Sequence, residues 1–484
     1  MSKRHMNVRK LPIFFLFVSF LWLTSCGSDG HSDWKGQWND DPEKNIQLTD
    51  LGGEQVVPKV ATNDVGESFV AWYSNVNGNY DVRLQCLDEN GTEQWTRNGM
   101  LISDHPSDSW VTDYGLAVDQ DGHAILVFQD LRNGSSNVYA YRISPDGEFL
   151  WGDNGLALSD NTEFEPSPSV AVTDENHLVF VWSRTSGLSR AVVLQKVTPD
   201  GDVLWGNGVV LQGNENEDYL SPVVTPADND EVFLVWAKPS PEFAPDHAIY
   251  AQKLDSNGSF VWNDGEPISL ADPIPLYATP RLVSDDRGGL FVAWYNTHLQ
   301  SFVQHIDADG ALLMSEDGVL LSTSQTTLHM QPELVFSPEW QELFAFCKET
   351  NLGQGDSGVC GQKLSTIGER LWGEEGRPFV AWWSSEYAYP FAIRRADEGV
   401  LVFYKVDITV LDAYLKAMLI TATGEFAWDD ESVTLSSAES GKGDFAVSAI
   451  NDAQWVVVWA DDRNGSREIY AQNIHSNGKL GVLR

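Results

Sequence analysis

The 484-residue sequence predicts an all-β protein, an eight-bladed β-propeller of four-stranded antiparallel blades whose ring is closed by an N-terminal strand. Three observations carry this prediction. The first is a recurring spacing in which glutamine is followed by glycine six residues on and tryptophan four further. It is complete at Gln85/Gly91/Trp95, Gln195/Gly201/Trp205, Gln252/Gly258/Trp262 and Gln362/Gly368/Trp372. Gln304/Gly310 has Met314 in the tryptophan position, Gln472/Gly478 has Val482, and Tyr141/Gly147/Trp151 and Met418/Gly424/Trp428 replace only the glutamine. Self-similarity at a fixed period marks a repeat architecture. The second is a fixed interval of fourteen residues that pairs Pro58, Pro168, Pro222, Pro280 and Pro332 with Trp72, Trp182, Trp236, Trp294 and Phe346. Tyr114 to Phe128 and Phe445 to Trp459 keep the interval without proline, and Phe403 follows Pro390 at thirteen. The third is the pattern between these marks, short β-branched and aromatic runs broken by turn residues, with no helical period.

The copy after Pro168 serves as the type. Ser169 to Thr173 reads as the first strand and His177 to Trp182 as the second, joined by a turn at Asp174-Glu175-Asn176. Asp and Asn tolerate the left-handed conformations such turns need. Ala191 to Val197 reads as the third strand. Pro199-Asp200-Gly201 turns into a fourth expected at Asp202 to Trp205. Insertions collect between strands two and three (Pro239 to Asp246, Leu352 to Gly358), where a hairpin loop absorbs them cheaply. A blade of this kind cannot bury its own faces, so the periodic aromatics are expected between neighbouring blades and the glutamines as ties between strands and loops. The last copy breaks off at Arg484, and the missing piece stands at the other end, where Trp38 is followed by Ile46-Gln47-Leu48. The N-terminal segment is therefore expected to complete the eighth blade and remove an open sheet edge. Residues 34–484 form one domain in this reading.

The first 25 residues read as a signal peptide, with a basic stretch ahead of a thirteen-residue apolar run, Leu11 to Leu23, too short to span a bilayer as a mature helix. The following Leu23-Thr24-Ser25-Cys26 resembles the lipobox of bacterial lipoproteins, which implies cleavage before Cys26, diacylation of that cysteine, and a tether over residues 26–33. Gly27 in the next position favours the outer membrane as the address. The formal net charge of −39 repels phosphate backbones, so nucleic acid is excluded as a partner. Cys347 and Cys360 fall on neighbouring strands of one copy and are expected to form a disulfide. Cys86 occupies the slot that holds Lys196, Lys253 and Lys363 in sister copies, which points to a solvated face.

No motif for a metalloprotease, a redox dithiol, a nucleophile elbow or a phosphate loop is present, so no catalytic residue, metal ligand or cofactor is assigned. Asp119-Gln120-Asp121-Gly122 is half of a calcium loop and reads as a turn. One stretch breaks the repeat. The connection into the seventh blade carries Trp382, Trp383, Tyr387 and Tyr389 within eight residues, and related connections carry Trp110, Tyr219, Tyr277 and His329. Gathered on one face, Trp382, Trp383, Tyr387, Tyr389 and Trp110 form the candidate ligand-binding set.

The stretches LDENGTEQW (87–95), ISPDGEFLW (143–151), VTPDGDVLW (197–205) and LDSNGSFVW (254–262) resemble those of bacterial eight-bladed propellers with a tryptophan-docking repeat, a family that includes quinoprotein-like domains. With the lipobox, the architecture looks like the propeller lipoprotein of the barrel assembly machinery, which implies a scaffold without catalytic activity. VVWADDRNGSREIYAQ (456–471) and VFQDLRNGSSNVYAY (127–141) depart from that pattern and look like the WxDxRNG…IYAQ repeats of secreted bacterial propellers. The turns also resemble sialidase Asp boxes, although here Asp and Gly are adjacent. The expectation is a monomeric, non-catalytic scaffold lipoprotein of the outer membrane, anchored by lipid and binding an envelope protein or glycan. The alternative is a carbohydrate-binding or carbohydrate-active envelope protein.

Overall fold

The computed structural model describes residues 36–76, 78–105, 112–187, 189–213, 218–239, 246–275, 278–384 and 387–483. They build eight antiparallel four-stranded sheets arranged as the blades of a propeller. Seven blades run in chain order, over residues 54–103, 115–157, 169–212, 220–275, 281–320, 327–380 and 387–436. The eighth takes three strands from residues 442–475 and its outer strand from Ile46–Gln47, with Ile46 opposite Ala471 and Gln47 opposite Tyr470.

The repeat spacing resolves into a docking ring. Each tryptophan leaves its own blade after the third strand and lies against the glycine of the next blade's turn. Trp38 meets Gly91, Trp95 meets Gly147, Trp151 meets Gly201, Trp205 meets Gly258, Trp262 meets Gly310, Met314 meets Gly368, Trp372 meets Gly424 and Trp428 meets Gly478. A Cβ on Gly91 would fall 2.6 Å from the Trp38 ring, and Gly91 has φ +84°, so sterics and backbone both demand glycine. Six indoles also donate to a carbonyl two residues before the glycine they cover, among them Trp38 to Glu89 O at 2.9 Å, Trp95 to Pro145 O at 2.7 Å and Trp262 to Ala308 O at 3.0 Å.

The glutamines hold these turns in place. In Gln85 the carboxamide oxygen accepts from Cys86 N (2.9 Å) and Trp95 N (3.2 Å), while Nε2 donates to Thr96 O (3.0 Å). Gln195, Gln304 and Gln362 repeat this arrangement around Trp205, Met314 and Trp372. Gln472 has no tryptophan ahead of it, and its Nε2 donates instead to Asn39 O at 3.0 Å. Asn39 follows Trp38 as Thr96 follows Trp95, so the N-terminal segment occupies the vacant repeat position in register.

The fourth strands begin later than the sequence suggested. In the third blade the strand is Val209–Gln212, and Asp202 to Trp205 touch the sheet only through a bridge between Val203 and Val197. The chain must peel away there to carry Trp205 to the next blade. Pro58, Pro222 and Pro332 sit where the first strand bulges, the register slipping between Val56 and Lys59, Leu220 and Val223, and Met330 and Glu333, whereas Pro168 and Pro280 stand just ahead of their strands. A bulge spares proline a ladder hydrogen bond it cannot make. The second-strand aromatics Trp72, Phe128, Trp182, Trp236, Trp294, Phe346, Phe403 and Trp459 are all buried.

The slot after the repeated glutamine is a second correction. It is buried, not solvated: Cys86 and Lys196 are inaccessible. Lys196 pairs with Asp230 at 2.5 Å, Lys253 with Glu231 at 2.5 Å, Lys363 with Glu342 at 2.9 Å and His305 with Asp285 at 3.0 Å. Neighbouring turns thus supply an acidic partner to each of these basic side chains. Arg142 occupies the same slot in the second blade and takes up Asp119 and Asp121, each at 2.6 Å, which commits the half calcium loop to an ion pair.

Candidate docking face

In an antiparallel meander successive connections alternate ends. The tryptophan turns and the loops between strands one and two therefore lie on one face of the ring. The hairpins between strands two and three lie on the other, with the blade-to-blade connections. The aromatic connection belongs to this second face, between blades six and seven.

Its placement follows from backbone contacts. A Cβ on Gly358, in the third strand of blade six, would lie 2.0 Å from Val380 O and 2.6 Å from Trp382 N, so the connection presses against a position only glycine can occupy. Ser384 N then donates to Ala381 O at 2.9 Å, closing a turn. Trp382 and Trp383 meet edge to face with centroids 5.2 Å apart, and Trp383 is 61% exposed.

Tyr387 and Tyr389, on the first strand of blade seven, do not join that tip. Lys348 of blade six lies 4.7 Å from the Tyr387 ring centroid and 5.6 Å from that of Tyr389, and donates to Tyr387 Oη at 3.1 Å. Lys405 lies 5.6 Å from the Tyr389 centroid and 2.7 Å from Asp407. Burial pushes the Tyr389 phenol above its ordinary value, with Lys405 opposing. Burial likewise opposes the charge on Lys405, but its hydrogen bond to Asp407 holds its pKa above the ordinary lysine value. The two tyrosines thus form a cation–π seam between blades. Trp110 and Tyr277 lie outside the described residues, as do Cys26 and the apolar run before it. Tyr219 packs edge-on against Trp236 at 5.7 Å, and His329 is a fully buried strand residue rather than a loop residue.

Two hairpins flank the aromatic tip. Tyr387 is opposite Asp407, so the connection runs beside the blade-seven hairpin that starts at Ile408. There Ile408 N and Thr409 N donate to Asp412 O, and Thr409 Oγ1 accepts from Leu411 N and bonds Asp412 Oδ2 at 2.8 Å. The turn uses its polar groups on itself and presents Val410, fully exposed, with Leu411 and Ile408 beside it. The blade-six hairpin is tied by Thr350 Oγ1 to Asp356 O at 2.7 Å and exposes Leu352. Sequence reasoning located the tryptophans and missed these aliphatics. Their signal was Val410-Leu411 in a turn position that usually carries Gly, Asn or Pro.

The WxDxRNG segments are clasps on this face. Arg132 stacks on Tyr139 at 3.9 Å and binds Asp130 at 2.6 Å and Asn154 O at 2.8 Å. Arg463 stacks on Tyr470 at 4.0 Å, binds Asp461 at 2.6 Å and reaches Asn45 Oδ1 at 3.0 Å, which pins the N-terminal segment. Where the sequence suggested a disulfide, the structure holds Cys347 and Cys360 as free buried thiols, directly opposite each other; Cys86 is free and buried as well.

The chain is thus a closed eight-bladed propeller with tryptophan-docked blades. No protein-family model matches it, and no curated protein matches its sequence. Among solved structures it is similar to the Dos1 propeller, at 11% identity over 92% of this chain and 98% of that one, with a TM-score of 0.51. It also resembles a protein of unknown function from Dyadobacter fermentans DSM 18053 (13% identity, 91% and 99% covered, TM-score 0.41). Polysaccharide lyase Uly1 is a third (11% identity, 92% and 98% covered, TM-score 0.43). At these identities the likeness speaks to fold alone.

Proposed function

We propose that this protein is a non-catalytic docking propeller of the bacterial cell envelope, tethered to the outer membrane by lipid on Cys26, that binds a partner protein through the hairpin face of blades six and seven. The observation that carries the reading is the self-satisfied turn Thr409–Asp412 that holds Val410 and Leu411 in water. Contiguous exposed apolar side chains on a rigid support favour a protein contact. Trp383 and Leu352 are exposed as well, on the same face of the ring beside blade six. The strong negative charge favours a partner with basic flanks. The test is crosslinked capture from envelopes with the wild type and a V410D/L411D variant. Loss of the captured partner at unchanged melting temperature supports the reading. Equal capture by the variant overturns it. Labelling with a palmitate analogue, abolished by Cys26→Ser, tests the tether separately.

A second reading, carbohydrate binding on the same face, is favoured by the exposed Trp383 indole, which can stack on a sugar ring. Calorimetry of wild type and Trp383→Ala against envelope glycans separates it from protein docking.

A further inference from the structure

The first three strands of blade six, Thr327–Ser337, Glu342–Asn351 and Ser357–Ser365, bring four potential metal ligands into one buried patch. The register sets His329 opposite Glu349 and Cys347 opposite Cys360. Residues 347 and 349 are two apart on one strand, so their side chains share a face. Both cysteines belong to the core shared with Phe291 and Ala293 of blade five, which identifies that face as the blade five–six interface. All four residues are buried, His329 completely. A His329 ring nitrogen, a Glu349 carboxylate oxygen and Cys360 Sγ all lie within 4.8 Å of one another. Cys347 stands directly opposite Cys360 on the neighbouring strand, its thiol buried as well.

The surroundings orient the imidazole. Gln300 of blade five donates through Nε2 to Thr327 O at 3.0 Å, which leaves its Oε1 to accept the Nδ1–H of His329 at 3.2 Å. Nε2 is therefore the nitrogen turned toward the cluster, 3.4 Å from Glu349 Oε1 and 3.5 Å from Thr327 Oγ1. A ligating histidine is usually held in this way, its Nδ1–H given to a neighbouring acceptor so that Nε2 faces the metal. The acceptors then outnumber the donors. Among the described residues Glu349 Oε2, which is buried, has no hydrogen-bond partner, and beyond the cluster Cys360 Sγ meets carbonyl oxygens of Glu375 and Gly361 at 3.9 and 4.0 Å. A proton between His329 and Glu349 would satisfy one contact and leave Glu349 Oε2 without a partner. A cation would engage the imidazole, the carboxylate and the sulfur together.

We propose that His329 Nε2, Glu349, Cys360 and Cys347 bind one zinc ion, a closed structural site inside blade six that ties its first three strands together beneath the docking face. Two sulfurs, one imidazole and one carboxylate suit zinc, whose structural sites are four-coordinate and tetrahedral, and disfavour calcium and magnesium, which take oxygen. Binding converts both thiols to thiolates and releases their two protons to solvent, so occupancy falls in acid. Cys347 moves from its place opposite Cys360 to complete the tetrahedron.

The experiment uses the mature chain purified under reducing conditions and zinc or cobalt ion as the probe. Expected are about one zinc per chain by elemental analysis and, with cobalt, the intense visible bands and sulfur charge-transfer absorption of a tetrahedral thiolate site. Cys360→Ser and His329→Ala should lose the metal, while Cys86→Ser, a buried thiol in another blade, should keep it. Stripping zinc from the wild type with a chelator should lower its melting temperature, a readout that needs no variant to fold. The proposal is overturned if the reduced wild type binds neither ion, if cobalt gives a weak octahedral spectrum, or if the protein as isolated is metal-free and lighter by two hydrogens through a Cys347–Cys360 bridge.

Discussion

Replacing Trp38 with alanine tests the closure of the ring. Trp38 is 4% exposed, its ring covers Gly91, and its indole donates to Glu89 O at 2.9 Å. Truncating a buried tryptophan costs about 3–5 kcal/mol. Glu89 O keeps a second donor, Gln454 Nε2 at 3.2 Å, so the lost hydrogen bond adds at most about 1 kcal/mol. Unfolding entropy near 2.1 cal/mol/K per residue over about 450 folded residues comes to roughly 0.95 kcal/mol/K. The variant should therefore melt about 3–6 °C lower by scanning calorimetry. Trp95→Ala is the internal control, because Trp95 makes the same contacts with Gly147 and Pro145 O in the middle of the chain. The two variants should fall together, within about 2 °C. Removing residues 34–48 should lower the melt further, since Ile46 and Leu48 are buried in the same cluster. A Trp38→Ala protein that melts within about 1 °C of wild type, beside a clearly weakened Trp95→Ala, refutes this account of closure.

Trp372 Nε1 is buried without a partner among the described residues whereas Trp262 Nε1 bonds Ala308 O, so Trp372→Phe should be neutral or stabilising and Trp262→Phe should cost about 1–2 kcal/mol in denaturant melts. Asp230, Asp285 and Asp461 are each pushed up by burial but pulled below the ordinary carboxylate value by hydrogen bonds, chiefly from Lys196, His305 and Arg463. Because their folded pKa values are depressed, their stabilisation is complete above the ordinary carboxylate range and is lost as pH falls through it; Asp230→Asn should flatten the acid limb of a stability–pH curve. Gln252 accepts from Trp262 N at 2.9 Å and donates to Trp262 O at 3.2 Å, so Gln252→Ala should destabilise by about 2 kcal/mol, with Gln212→Ala, an exposed glutamine, unchanged.

The blade count, the closing strand and the place of the periodic aromatics between neighbouring blades were legible because each depends on intervals along one chain. Gln85 holds Trp95 and Thr96 within a single hairpin, and a hairpin reads its own sequence. The fourth strand was misplaced because Asp202 to Trp205 has strand-like composition yet must leave the sheet to reach Gly258, a partner in another blade. The buried cations were misread for the same reason: Lys196 looks like a surface residue until Asp230, from the next blade's turn, stands beside it. The aromatic connection was found as a break in the repeat, but its division was not, since the lysines that claim Tyr387 and Tyr389 come from two blades.

By itself the amino-acid order determined an all-β ring of eight units, the residues that join each unit to the next, and the segment that closes the circle. Only the tertiary structure decided which side chains share a site. His329 and Glu349 are aligned by strand register, with a bulge just beyond Met330, and Gln300 reaches them from the neighbouring blade. Periodicity records what each blade repeats. A site assembled across strands and between blades depends on register and packing, which no interval along the chain encodes.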